Sequence, residues 1–474
     1  MVKSSHYLAV VAFGSFTLGA CTSPAPMAEL PESVAENRPW QSAGGSDSSA
    51  QLPADWWTTF EDAELSAAVE AALQDNFDLQ AAAMRVEAVS AQLRMAAGDR
   101  LPKLNAGLDL GRSRSNLIGL PFPGASDVLP VTNNRHNLGL NLSWELDLWG
   151  RLAAQEEAAV ASLQASHADW QAARLSLAGQ AAKVHLQLAE ATQQLLLSQE
   201  LVAISAAQRD HLRQRFQNGN STDALLQAEA SLASALANQR GAEQRRNTLE
   251  RQRALLQGGY PEIAGAEIAP LRLPQLPGPV PSGLPAQLME RRPDLAASSA
   301  ELRSARFQSE AADAALYPSL AITASGGTSS NELDDLLNGD FKVWSLGASL
   351  TAPLFQGGTL NAQADAAEAR ANASGLAFVQ QVLRAFAEVE TALDSEQLLA
   401  ARLAQTQTEN GVLQQRADRA MKRFENGVGM AETVYQTRIL LVQSQSNLHA
   451  MQLLLLINRI DLYLALGGGF QTAN

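Results

Sequence analysis

The side chains able to do chemistry in this 474-residue chain are few and scattered. Six histidines and one cysteine are present. No histidine pair has H-E-x-x-H spacing, and a lone thiol builds neither a disulfide framework nor a thiolate metal cluster. The sequence has no G-x-G-x-x-G, no G-x-x-x-x-G-K and no G-x-S-x-G. These gaps argue against an enzyme, a resident cofactor and a metal centre. With 35 basic against 49 acidic residues the net charge is −14, which argues against a nucleic-acid partner, because phosphate binding needs clustered Lys and Arg. What remains is a set of polar residues beside two Asn-Gly turns. Asp223 and Glu229 follow Asn218-Gly219, and Glu432 and Gln436 follow Asn426-Gly427. Carboxylates crowded at one level would repel each other and favour cations. Their plainer role is that of acids in a helical first turn, where the helix dipole favours them.

The elements that position these residues begin with an export signal. Lys3 precedes an uncharged stretch, Tyr7 to Ala20. That is the length of a signal-peptide apolar region and is short of the roughly 20 residues of a spanning helix. It ends Leu18-Gly19-Ala20-Cys21 at the only cysteine. Small residues before such a Cys resemble the bacterial lipoprotein processing box, so Cys21 is the expected site of lipid attachment, with Thr22 after it in keeping with outer-membrane sorting. One acyl chain binds membranes only marginally, so this anchor would supplement another attachment. The most apolar later run, Leu453 to Ile457, is five residues long, and any membrane crossing is expected to use strands.

The chain is also written twice. Leu152 to Asn238 aligns with Leu360 to Ser446 at a constant offset of 208, anchored by Arg215-Phe216-Gln217-Asn218-Gly219 and Arg423-Phe424-Glu425-Asn426-Gly427. Upstream, Asp78-Leu79 and Leu101-Pro102-Lys103-Leu104 match Asp294-Leu295 and Tyr317-Pro318-Ser319-Leu320 at an offset of 216. Between the copies, Gly258 to Pro285 holds seven prolines in 28 residues and reads as an ordered linker.

Each copy carries the same succession. An Ala-rich helical segment (Glu64 to Ala97; Gln287 to Leu316) leads to two runs that alternate with period two. In the first copy these are Leu104 to Leu110 and Leu138 to Leu148; in the second they are Leu320 to Ala324 and Trp344 to Leu354. Their other faces hold Gly, Ser, Asn and Asp, as a wet lumen would, and their length suits tilted membrane strands. Trp144, Trp149 and Trp344 near the strand ends are candidates for an interfacial girdle. A proline-free helix follows in each copy, Gly150 to Phe216 and Gly358 to Phe424, each about 100 Å long at 1.5 Å per residue. Apolar seams such as Val160, Leu163, Leu177, Val184, Leu188 and Leu195 mark a coiled coil with small residues at its interface. In the second copy Phe378, Val382, Ala385, Val389 and Ala392 form one seam, and Leu376, Val379, Leu383, Phe386 and Leu393 a second. The Asn-Gly turns end the long helices, and return helices Thr222 to Gln257 and Met430 to Leu466 follow. A return helix and a pre-strand helix laid end to end span about 100 Å, so each long helix is expected to pair with two stacked short ones.

Four strands cannot close a membrane barrel, and an open edge in lipid is prohibitive. Symmetric copies close such edges, and three copies supply twelve strands and twelve helical positions. The expected fold is therefore α+β: long antiparallel coiled-coil helices form a periplasmic α-barrel, four strands per chain join a trimeric 12-stranded barrel, and the whole is internally duplicated. Expected segments are 1–20 signal peptide, 21–61 lipidated irregular segment, 62–257 first repeat, 258–284 Pro-rich linker, 285–466 second repeat and 467–474 tail.

Ordered motifs add a resemblance. Trp56-Trp57-Thr58-Thr59-Phe60-Glu61-Asp62, Glu290-Arg291-Arg292-Pro293-Asp294-Leu295, Tyr317-Pro318-Ser319-Leu320, Pro353-Leu354-Phe355-Gln356-Gly357-Gly358 and the two Arg-Phe-x-Asn-Gly tips resemble the outer membrane factor family. These are the TolC-type channels, here in the lipoprotein branch serving RND-type efflux systems, and the likeness spans about residues 52 to 468. The resemblance implies a homotrimer in outer membrane lipid that extends into the periplasm. It implies docking to a periplasmic adaptor (membrane fusion) protein and an inner-membrane efflux transporter, which expel drugs and other toxic small compounds. Ala63 stands where the family usually has Pro. The family constricts its tunnel with acids just after the tip glycine, where this chain has Thr433 and Gln436. Asp223, Glu229, Glu432 and Gln436 are therefore the aperture candidates, and Asn218, Gly219, Asn426 and Gly427 the adaptor-docking candidates. Two other readings are the channel of a type I protein secretion system and, from a different class, a lipid-anchored periplasmic coiled-coil scaffold.

Overall fold

The computed structural model describes residues 40, 52–118, 128–217, 222–262, 271–280 and 288–469. Cys21, Asn218 and Gly219 lie outside them. A 3-10 turn, Trp56–Phe60, leads into α1 (Ala63–Asp75), whose N-terminus is capped by Asp62 Oδ1 accepting from the Glu64 and Leu65 amides at 2.9 and 3.0 Å. The expected single pre-strand helix is broken. Asn76 is extended (φ −69°, ψ 122°) and caps a second helix, α2 (Phe77–Asp99), through the Leu79 amide. Two strands follow, β1 (Lys103–Ile118) and β2 (Val128–Leu146). Then come the long α3 (Arg151–Gln217) and its return helix α4 (Thr222–Leu256). The second copy repeats this order: α5 (Leu288–Arg291), α6 (Pro293–Ala314), β3 (Ser319–Ser330), β4 (Lys342–Thr351), α7 (Thr359–Glu425) and α8 (Ala431–Ala465). Both long helices have 67 residues and both return helices 35.

The break recurs because a helix end abuts it in each copy. Asn76 Nδ2 donates to the carbonyl of Leu256, the last residue of α4, at 3.0 Å. At the equivalent place Arg292 is extended (φ −99°, ψ 119°), Pro293 opens α6, and Arg292 Nη1 donates to the carbonyl of Ala465, the last residue of α8, at 3.1 Å. The orphan carbonyls of a return helix are thus satisfied by the residue that starts the pre-strand helix. Arg292 also pairs with Asp294 and Glu388 at 2.8 and 2.7 Å. Burial pushes the Asp294 carboxyl up, but the Arg292 fork and the Gln381 amide outweigh it and hold it below the usual carboxylate range.

The helices stand side by side as staves. On one flank α3 packs against α1, α2 and α4; on the other it packs against α6 and α8. By contrast, α7 makes its main contacts with α6 and α8 alone. One core lies at mid-height, where Trp56 stacks on Tyr463 at 5.2 Å beside Phe60, Leu65, Leu186, Leu295, Val382 and Ile460. The chain closes around it at Gly467, Gly468 and Gly469, all at positive φ; a Cβ on Gly467 would meet the Arg291 carbonyl oxygen at 2.0 Å. By length and composition α8 is apolar enough for a membrane span, contrary to the expectation that no later helix would be. Its apolar residues Leu453, Leu455, Leu456, Ile460 and Leu462 are buried within the staves, however, together with Arg459.

The strands form one antiparallel sheet in the order β1-β2-β3-β4. β1 and β2 are longer than the alternating runs. β4 stops at Thr351, before Pro353, so Ala352 and Leu354 lie beyond the ladder within the chain.

Candidate functional site

Among the described residues no three His, Cys, Asp or Glu side chains gather where they could hold a metal ion. The working surface is the sheet and the staves. Register places Leu104, Leu142, Ala324 and Leu346 in one row and Leu146, Leu320 and Leu350 in another, all on one face. The opposite face carries Asn105, Asn141, Ser325 and Ser345, and Gly107, Gly139 and Gly327. Leu104, Leu108, Leu140, Leu346 and Leu350 are all at least half exposed. Leucines on a strand face open to this degree suit lipid, and the Gly/Ser/Asn face suits water. On the close-packed wet face, a Cβ on Gly327 would come within 2.1 Å of the Leu138 carbonyl oxygen.

The aromatic residues divide. Trp144 lies on the apolar face at the helical end, and its indole N–H donates to the Arg100 carbonyl at 2.9 Å. Trp149 lies in the turn into α3, stacks on Tyr317 at 5.1 Å and donates to the Pro318 carbonyl at 2.7 Å. It therefore fastens sheet to staves. Trp344 is on the apolar face at the far end of β4 and is 81% exposed.

At the other end of the staves the aperture candidates are not equivalent. Glu432 is met by Arg215 at 3.3 Å and Glu229 by Arg213 at 3.7 Å, both arginines coming from α3. Asp223 and Gln436 are exposed. The sequence reading missed these arginine partners, although Arg215 was in view as part of the repeated tip motif. At the second tip Gly427 has φ +74° and closes α7 with its amide on the Phe424 carbonyl, while the Val428 amide reaches the Arg423 carbonyl, both at 2.9 Å.

His185 is nearly fully buried in mid-α3, with Nε2 3.4 Å from Asp62 Oδ2. Burial, ahead of the opposing pull of Asp62, holds its imidazole below the usual histidine range. Between the folded and unfolded pKa values the unfolded chain binds the extra proton. Stability is therefore complete above about pH 6.5 and falls as pH drops toward the folded value. A melting curve at pH 5 should lie below that at pH 7, and His185→Gln should narrow the difference; an equal gap in the variant would remove His185 from the acid response.

The internal duplication exposes what is unfinished. On α3 the stripe Ala154, Ala158, Ala161, Ala165, Ala168 is buried, with Ala161 3% exposed. Its equivalents at +208 on α7 are Ala362, Ala366, Ala369, Ala373 and Leu376, of which all but the half-buried Ala366 are exposed. Facing α3, the α6 residues Ala300 and Ala311 are buried, while their equivalents at −216 on α2, Met84 and Met95, are 57% and 70% exposed. Of the two seams expected on the second long helix, the first is buried (Val382, Ala385, Val389, Ala392), and the second is open at Leu376 and Leu383.

Comparison with known proteins agrees with this geometry. The description "outer membrane efflux protein" fits residues 68–258 and 284–468. The pyoverdine export outer membrane protein OpmQ of Pseudomonas putida is 32% identical, with 96% of each chain covered. The outer membrane protein OprJ of Pseudomonas aeruginosa is also 32% identical, over 96% of this chain and 94% of its own. Among solved structures, the outer-membrane channel OprN superposes with a TM-score of 0.80 at 25% identity, covering 90% of this chain and 94% of that one. The chain belongs to the outer membrane efflux protein family, whose members are channels, and it serves in the outer membrane as the channel component of an efflux pump.

Proposed function

We propose that three copies close into a passive exit duct: twelve strands through the outer membrane and twelve helical positions across the periplasm. The observation that carries this reading is the alanine stripe buried on α3 and repeated, uncovered, on α7. A surface that the sequence writes twice, and that the chain covers once, is completed by the same partner element from another copy. The open edges of β1 and β4 need the same closure, because unpaired backbone groups are costly in lipid. The cargo is drugs and other toxic small compounds. This fits a sheet face of Gly, Ser and Asn and a relative named for pyoverdine export. A periplasmic adaptor meets the tips at Asn218-Gly219 and Asn426-Gly427 and couples the duct to an inner-membrane transporter. Cys21 carries a lipid that supplements the barrel. The aperture lies at the tip acids, with Asp223 the least neutralised.

The test combines bilayer recording with drug susceptibility. Purified protein should need detergent, run as a heat-labile trimer and conduct ions in planar bilayers, with higher conductance for Asp223→Ala/Glu432→Ala. A strain lacking the gene should become more sensitive to dyes, detergents and antibiotics. A compact, detergent-free monomer would end the reading, and unchanged conductance in the double variant would remove both acids from the aperture.

A further inference from the structure

Beyond its apolar band the outward face of β1 turns cationic. Leu104, Ala106, Leu108 and Leu110 are followed on the same face by Arg112 and Arg114, about 7 and 14 Å past Leu110 at 3.4 Å per residue. Both arginines are exposed and make no ion pair with any described residue. On the other sheet edge, β4 opens with Lys342 and the exposed Trp344 on that same face. Neither strand places a carboxylate there; Asp109 is on the opposite face. This concentration of positive charge stands out in a chain of net charge −14.

The duplication shows how these residues meet, and this step rests on the three-copy closure proposed above. Within the chain β2 pairs with β3 as Leu142↔Ala324, Leu138↔Thr328 and His136↔Ser330. Carrying β2 onto β4 at +208 and β3 onto β1 at −216 transfers that register to the seam between copies. Leu350 then faces the partner's Leu108, Leu346 the partner's Arg112, and Trp344 the partner's Arg114. Even-numbered residues stay together, so the apolar band runs on unbroken around the hoop. Leu354, 95% exposed within the chain, also gains a neighbour, the partner's Leu104.

From this we infer that each seam between copies forms a binding site for the phosphate groups of an outer-leaflet glycolipid, built from Arg112 and Arg114 of one copy and Trp344 and Lys342 of the next. Acyl chains lie along the leucine band. The guanidinium forks take the phosphates with paired, charge-assisted hydrogen bonds. Trp344 sits at the level where an amphipathic ring joins hydrocarbon to headgroup. The site is incomplete in one chain, since its arginines and its tryptophan stand on opposite edges of the sheet. One competitor is near. The β3–β4 connection carries Glu332, Asp334, Asp335 and Asp340, and Thr328 Oγ1 holds it across the outward face of β3 through the Leu336 carbonyl at 2.7 Å. Its occupancy of the arginines is the alternative that the experiment must separate.

The probe is a diphosphorylated glucosamine-disaccharide lipid titrated onto nanodisc-held protein, alongside the same lipid enzymatically stripped of phosphate. Wild-type trimer should prefer the phosphorylated form. Arg112→Gln/Arg114→Gln should bind it about thirty-fold more weakly while remaining a trimer of unchanged conductance. Equal binding of the two lipids overturns the proposal, as does undiminished binding by the double variant. If the double variant loses its trimer, Asp334→Asn/Asp335→Asn decides. Loosening of the trimer by that change too would mean the arginines serve the acidic connection, overturning the proposal, whereas an intact trimer with equal or tighter lipid binding supports it. Wild-type protein that neither trimerises nor conducts would instead defeat the three-copy closure.

Discussion

Arg459→Ala is expected to destabilise the folded chain by about 3–5 kcal/mol, the cost of stranding one partner of a buried ion pair. Arg459 is 2% exposed on α8. Its Nε donates to Glu396 Oε2 of α7 at 3.0 Å, and its Nη1 donates to the Pro277 carbonyl at 2.7 Å and to the Gly278 carbonyl. One guanidinium thus ties a return helix, a long helix and the proline-rich linker. Lysine keeps the charge but not the fork, so Arg459→Lys should recover only part of the loss. A melting curve of detergent-solubilised protein, with timed proteolysis of the linker, reads both effects. A variant that melts with the wild type and resists cleavage equally would show that Arg459 is dispensable.

The second large effect separates folding from assembly. Ala161 and Ala369 are the same position in the two copies; the first is buried within the chain and the second exposed. Ala161→Trp overpacks the α3–α6 contact and should cost the chain itself about 1–3 kcal/mol or more. Ala369→Trp should leave the helical content and melting of a single chain nearly unchanged. It should remove the trimer, because the overpacking penalty recurs at three seams and sums to about 3–9 kcal/mol. Circular dichroism reports the first quantity and unheated gel electrophoresis the second. A normal trimer from Ala369→Trp would deny that this stripe faces another copy.

Much of the architecture was legible because its causes are local. Leucine every second residue fixes which face of β2 meets lipid, and unbroken runs without proline give two long helices whose observed limits, Arg151–Gln217 and Thr359–Glu425, nearly match those read from the sequence. The break at Asn76 was not legible, since Asn is no helix breaker by itself and it meets the carbonyl end of a return helix 180 residues away in sequence. The break at Arg292 had a local signal in the proline that follows it, while its bond to the end of the other return helix was out of view. The aperture acids were found by their distance from the tip glycines, but their neutralisation was not, because Arg213 and Arg215 reach them across helices. Trp149 shows the same limit: position suggested a girdle, whereas its stacking on Tyr317 makes it a fastener.

By itself, then, the sequence determined the elements, their order, their duplication and the chemistry of each face, since periodicity and repetition need no knowledge of neighbours. Only the tertiary structure decided which of two near-identical surfaces is covered. Burial is a property of what packs alongside, and α3 has neighbours on both flanks where α7 has them on one. That asymmetry between equal halves turns a repeated sequence into a subunit with an open edge.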